Sequence, residues 1–274
     1  MNDHYAVAVK GMASHPRASV DTLILGETEI HVATPEGSAH PQRAWIDLYG
    51  GALLFGGGEA CRVGAQQQAD RYGVRCFGVD YRLPPDFPYP AALDDCLAAY
   101  RHVLSQYSPA DIVVIGRSAG GNLALAALLR GRDEGLPMPA GLVLLSPEVD
   151  LTESGDSFHT NRHVDVMLPL PLMPINQLYA GDADLAPPIF HPCSASLKDC
   201  RPPSCKRVPA TCSCPMRRAC IVDCAAPGCL SSSTSAKACP TAVSWTEQQR
   251  MTTWRRRFAA SSRPFGAARR DRRA

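Results

Sequence analysis

The sequence predicts an α/β domain: a mostly parallel sheet with helices on both faces. Two observations carry this. Short apolar runs recur along the first two thirds of the chain, and stretches with helical spacing separate them, as in sheets covered on both sides. The 274 residues suit one large α/β domain or two small ones and suffice for a sizeable core.

Taken in order, "RAWIDLYGG" from Arg43 is a strand running into glycines. "GVRCFGVDYR" from Gly73 is a second strand, with Asp80, Tyr81 and Arg82 at its end. Asp80 and Arg82 suggest an ion pair. "PAALDDCLAAYRHVL" from Pro90 has helical spacing after a proline, and Asp94 and Asp95 sit early enough to favour its dipole. "DIVVIGRS" is a third strand, "AGGNLALAALLRGRDEG" a helix closed by Gly135, and "AGLVLLSPEVD" a fourth strand. This organisation divides the chain into a core over 1–186 and a tail over 187–274. In the tail, proline, cysteine and serine interrupt every apolar run and no period survives, so disorder is expected there. With no further strand, "GLVLLS" at Gly141–Ser146 should be an uncovered sheet edge.

The totals exclude some classes. A formal net charge of +2 gives no argument for nucleic acid or an anionic membrane. No segment reaches the apolar length of a membrane span, and the first residues lack a secretory layout, so a cytoplasmic protein is expected. Of twelve cysteines, nine lie between Cys193 and Cys239. Their spacings contain no C-x₂-C pair and only His191 is near, a poor metal signal, and a disulfide framework conflicts with the expected compartment.

"GRSAGG" at Gly116–Gly121 matches G-x-S-x-G between a strand and a helix. A serine there sits on a strained turn whose neighbours pass too close for side chains, and the N–H of Ala119 can face a developing oxyanion. "YGGALLFGGGE" follows the first strand, and Gly50 and Gly51 can supply further N–H groups. A plain glycine-rich turn and a flexible loop are the bland alternatives. A serine nucleophile also needs a base. The histidines are His4, His15, His31, His40, His102, His159, His163 and His191. Each reads as a surface or loop residue, and only the last three follow Ser118.

With these motifs in hand, the stretch from about Val20 to Leu185 resembles the hormone-sensitive-lipase-like family of α/β-hydrolase carboxylesterases. Tyr49–Ala52 stands where that family has H-G-G-[GA], Gly116–Gly121 where it has G-D-S-A-G-G, and "DYRLPPDFPYPAALDD" matches its D-Y-R-L-A-P-E segment. The resemblance implies an α/β-hydrolase fold and hydrolysis of small carboxylic esters through an acyl-enzyme. Ser118 would be the nucleophile and Gly50, Gly51 and Ala119 the oxyanion hole, with a small-molecule ester as partner and no cofactor or metal. Two positions depart from the pattern. Tyr49 replaces the histidine that helps hold the oxyanion loop, unless its hydroxyl tethers the loop instead. Arg117 replaces an aspartate beside the nucleophile. Both point to impaired activity.

The family's acid and histidine segments are missing from the tail as written. Reading each codon one base earlier permits both. Cys205 onward then permits L-Q-T-G-T-R-D-L-F-L-S, with the aspartate at the junction of Ala210 and Thr211. "KACPTAVS" permits E-G-M-P-H-G-G-F, with the histidine at the junction of Pro240 and Thr241. Loss of one base near Pro187 accounts for both, and for the cysteines as out-of-frame codons. The rival reading is a non-catalytic small-molecule binder that keeps the pocket without a base.

Overall fold

The computed structural model describes residues 16–38, 40–155, 157–160, 170–187, 189–190, 192 and 219–223. These belong to a compact unit spanning Met1–Lys237, while a second unit, Ala238–Ala274, lies outside the described residues.

The sheet has seven strands in the order β1-β2-β4-β3-β5-β6-β7. They are β1 (Ser19–Leu25), β2 (Thr28–Thr34), β3 (Ala44–Leu48), β4 (Arg75–Asp80), β5 (Ile112–Arg117), β6 (Gly141–Leu145) and β7 (Ala219–Asp223). The four central strands, β4, β3, β5 and β6, run parallel, and these are the four that the apolar runs predict. β2 pairs antiparallel with β4, and β1 with β2.

The helices include α1 (Glu59–Tyr72), α2 (Ala91–Leu104), α3 (Ala119–Asp133), the short α4 (Ser157–Thr160) and α5 (Met173–Ala180). Strand side chains alternate between two helical layers. Ile46, Leu48, Phe77, Val79, Ile112 and Val114 enter one core with Leu93 and Tyr100 of α2 and Leu123 of α3. On the other face Trp45 stacks on Tyr72 of α1, ring centroids 4.2 Å apart. Gly78 lies beneath α1 so closely that a Cβ there would stand 2.7 Å from Ala65 Cβ. Burial on both faces explains why β3 and β5 read as continuous apolar runs.

Two expectations about the second part of the chain are corrected. β6 is not an open edge, because Ala219–Asp223 runs antiparallel along all of it, from Leu145↔Ala219 to Gly141↔Asp223. An unpaired edge is a template for any segment of strand character, and "ACIVD" carries a β-branched pair. The core also does not stop at 186. Phe190 is fully buried against Tyr89 and Tyr179, and its carbonyl accepts from the Leu151 N–H and the Asn122 side chain. The rest of the proposed tail lies outside the described residues.

Candidate active site

β5 delivers the chain to Ser118, which caps α3 with φ 49° and ψ −121°. A non-glycine residue with positive φ is strained, and surrounding contacts must hold it there. The Ser118 N–H donates to Leu145 O (3.0 Å), and its carbonyl accepts from Gly121 N–H (2.8 Å) and Glu148 N–H (3.1 Å). The flanking glycines are required by close approach. A Cβ on Gly120 would stand 2.1 Å from Tyr49 O and 2.3 Å from Leu48 O. The serine is half-buried, and Ala119 opens the first turn of α3, where N–H groups lack intrahelical acceptors.

The loop from Tyr49 to Gly58 comes up beside this turn. A Cβ on Gly50 would lie 3.1 Å from Ser118 Cβ, so the two backbones touch. Gly51 has φ 151°, and a Cβ there would overlap Phe55 O at 1.8 Å. Gly51 O accepts from both Leu54 and Phe55 N–H, closing the turn. Gly50, Gly51, Ser118 and Ala119, four residues from two distant segments, therefore meet at the C-terminal ends of β3 and β5.

Tyr49 tethers this loop. Its hydroxyl donates to Tyr81 O (3.1 Å), the Tyr81 hydroxyl donates back to Tyr49 O (2.8 Å), and the rings stack 4.1 Å apart at 9°. Burial pushes both phenols well above their ordinary range, so both keep the protons these bonds need. Asp80 anchors the far end of the loop by accepting the Gly58 N–H at 2.8 Å.

The expected Asp80–Arg82 pair is corrected. Arg82 turns to buried Asp95, with Nη2 to Oδ1 at 2.9 Å, and to Glu27. Asp95 is thus a core anchor of α2, and Asp94 pairs with Arg130 of α3. Arg117 makes a two-pronged bond with buried Asp47 (3.0 and 2.8 Å) on the sheet face that carries α1. Its effect beside the nucleophile is spent on strand β3.

Sequence reasoning missed Glu148, whose N–H donates to the Ser118 carbonyl. Burial pushes its carboxyl up to about 7; a smaller downward pull comes from Asn176, and the Glu153 and Asp150 charges add to the rise. The Asn176 amide is directed to Leu151 O (3.1 Å), and neither Glu148 oxygen has a hydrogen-bond partner among the described residues. Asp150 behaves oppositely. Burial raises its carboxyl, but the hydroxyls and N–H groups of Thr152 and Ser154 outweigh that and hold it below its ordinary value. A carboxylate immediately after "SP" at a strand end was the available signal for Glu148.

Of the histidines, His40 lies before β3, His102 on α2 against Phe77, and His31 on β2, buried rather than on the surface. The side chains of His4, His15, His159, His163 and His191 lie outside the described residues, as do Ala210, Thr211, Pro240 and Thr241.

A family model described as the alpha/beta hydrolase fold matches residues 45–205. The chain belongs to that family, in its hormone-sensitive-lipase-like branch. It is 34% identical over 157 residues to an acetyl-hydrolase of Streptomyces hygroscopicus, covering 57% of this chain and 52% of the relative. It is 38% identical over 122 residues to an esterase of Acinetobacter venetianus, covering 44% and 40%. Among solved structures, the hormone-sensitive-lipase homologue EstE7 from a metagenome library superposes with TM-score 0.64 at 33% identity, over 71% of this chain and 67% of that one. The chain spans about half the length of the curated relatives it matches. No helix among the described residues is long and apolar enough to cross a membrane.

Proposed function

We propose that the protein is built to hydrolyse small carboxylic esters through an acyl-enzyme on Ser118. The observation that carries this is the strained Ser118 turn packed against Gly50 at the ends of β3 and β5. Ser118 Oγ attacks the ester carbonyl and its proton passes to a histidine base. The N–H groups of Gly50, Gly51 and Ala119 receive the oxyanion, and the alcohol leaves with the proton. Water repeats the sequence, releasing the acid and restoring the serine.

The base and its orienting acid are the histidine and aspartate read one base out of frame at Pro240/Thr241 and Ala210/Thr211. The chain as written should therefore turn over feebly. Oxyanion hole and binding alone sustain ~10³–10⁴-fold catalysis over water. The test is nitrophenyl acetate hydrolysis with labelling by a serine-directed phosphonate. Slow labelling lost in Ser118→Ala supports the reading. A folded protein that binds esters yet never labels, even after the frame is restored, is a binding module instead.

A further inference from the structure

Outside the active site, one group of side chains on the α1 face has no assigned purpose. The pairing of β1, β2 and β4 sets two adjacent rows across the sheet: Thr22, His31 and Gly78, then Ile24, Glu29 and Asp80. Glu29, His31 and Asp80 each bring a donor atom to one place, all within 4.8 Å of one another. His31 Nε2 stands 3.6 Å from Asp80 Oδ2.

His31 makes this more than an acidic edge. The residue is only 5% exposed, and its Nε2 is buried with no hydrogen-bond partner. A buried, unmatched ring nitrogen costs free energy unless something occupies it. The other nitrogen, Nδ1, lies 3.4 Å from Thr22 Oγ1. With Nδ1–H donating to that hydroxyl, the tautomer directs the Nε2 lone pair at the two carboxylates. Metal-ligating histidines are oriented in this way by a partner on the second nitrogen. Glycine at 78 leaves the space beside the ring free of a strand side chain. From α1, Cys61 faces the same region. Its sulfur is not among the three donor atoms that converge there.

We propose that Glu29, His31 and Asp80 form a site for one divalent transition-metal ion of the zinc class. One imidazole with two carboxylates suits such ions better than calcium or magnesium, which take oxygen ligands. Three protein ligands leave a fourth position for water. Glu29 is exposed, and its carboxylate already lies within 4.8 Å of the other two donors. Asp80 can ligate while still accepting the Gly58 N–H, since a carboxylate offers about four lone-pair sites. A bound ion would fasten the β1–β2 hairpin to the residue that anchors the Tyr49–Gly58 loop. The site does not depend on the esterase reading.

The experiment is equilibrium dialysis of the full chain against Zn²⁺, with Co²⁺ absorption as a second readout. The comparison is among the parent, Glu29→Gln, and His31→Gln. Glu29 is exposed, so its variant folds even if the His31 variant does not. We expect one Zn²⁺ equivalent whose affinity falls at least tenfold in Glu29→Gln, and whose Co²⁺ spectrum lacks thiolate charge-transfer bands. Equal stoichiometry and affinity in parent and Glu29→Gln would overturn the proposal by placing any bound ion elsewhere, for example on the cysteines beyond Cys193. Absence of bound ion in the folded parent would overturn it as well.

Discussion

The loop after β3 and the segment after β6 flank Ser118 from either side of β5, and they handle polar groups in opposite ways. The first is braced: Tyr49 and Tyr81 exchange hydrogen bonds, Asp80 takes the Gly58 N–H, and Gly51 O closes the turn. The second buries Glu148 with no hydrogen-bond partner for either oxygen among the described residues, two positions from an Asp150 that is fully engaged. The braced side carries Gly50 and Gly51, whose N–H groups are the proposed oxyanion donors. The unbraced side holds a proton that solvent pH can remove. The contrast places rigidity on the Gly50–Gly51 side and pH sensitivity on the other.

The largest expected effect comes from completing the site between these two loops. On the proposed frame, inserting one base at the Pro187 codon would restore a histidine and an aspartate downstream. General acid–base catalysis typically contributes about 10²–10⁴-fold, so turnover of nitrophenyl acetate should rise on that scale and vanish in Ser118→Ala. A repaired, folded enzyme no faster than the present chain would show that the braced loop is not an oxyanion hole.

The next effect tests the brace itself. Gly120→Ala drives a methyl to 2.1 Å from Tyr49 O, a backbone atom that cannot swing aside. Overpacking of this kind costs about 3 kcal/mol or more. The expected result is a large fall in the urea midpoint together with loss of phosphonate labelling. An unperturbed midpoint would mean the two backbones are not in contact.

Glu148→Gln probes the other side. The folded-state carboxyl titrates at about 7, above its ordinary 4.5. Stability is therefore complete below about pH 4.5 and is lost as pH rises through 7. At roughly 1.4 kcal/mol per unit the loss at pH 8 is about 3 kcal/mol, an upper figure. Glutamine, always neutral, should flatten that slope and leave the variant the more stable protein at pH 8. Equal pH slopes in the two proteins would show that Glu148 finds a partner in solution.

What the sequence makes legible follows from locality. The strands β3 to β6 and the helices α2 and α3 announce themselves because their apolar period lies within one short window. Ser118 does so because its turn needs glycines on both sides. The β1–β2 hairpin and α1 do not. β1 alternates weakly at an exposed edge, and α1 buries mainly small residues, Ala60, Cys61, Ala65 and Ala69, which leave a faint helical stripe. The polar anchors are hidden for a different reason. Asp47 meets Arg117 and Thr28 meets Asp95 across long stretches of chain, and neighbouring charges such as Asp80 and Arg82 point to different partners. β7 is illegible because pairing with β6, not its own pattern, calls it into the sheet.

The smallest effect concerns Tyr49. Removing its hydroxyl in Tyr49→Phe keeps the stacked ring, 4.1 Å from Tyr81, and loses one neutral hydrogen bond to Tyr81 O. That is worth about 1 kcal/mol. Phosphonate labelling of Ser118 should slow only a few-fold, because the reciprocal bond from Tyr81 to Tyr49 O remains. Tyr49→His restores the family residue at this position, yet an imidazole is shorter than a phenol and falls short of the Tyr81 carbonyl. Its midpoint should therefore match Tyr49→Phe and stay below the parent. If Tyr49→His instead exceeds the parent in both stability and labelling rate, the imidazole has found a better acceptor in this loop than the tyrosine pair provides, and the brace described for the β3 side must be redrawn around it.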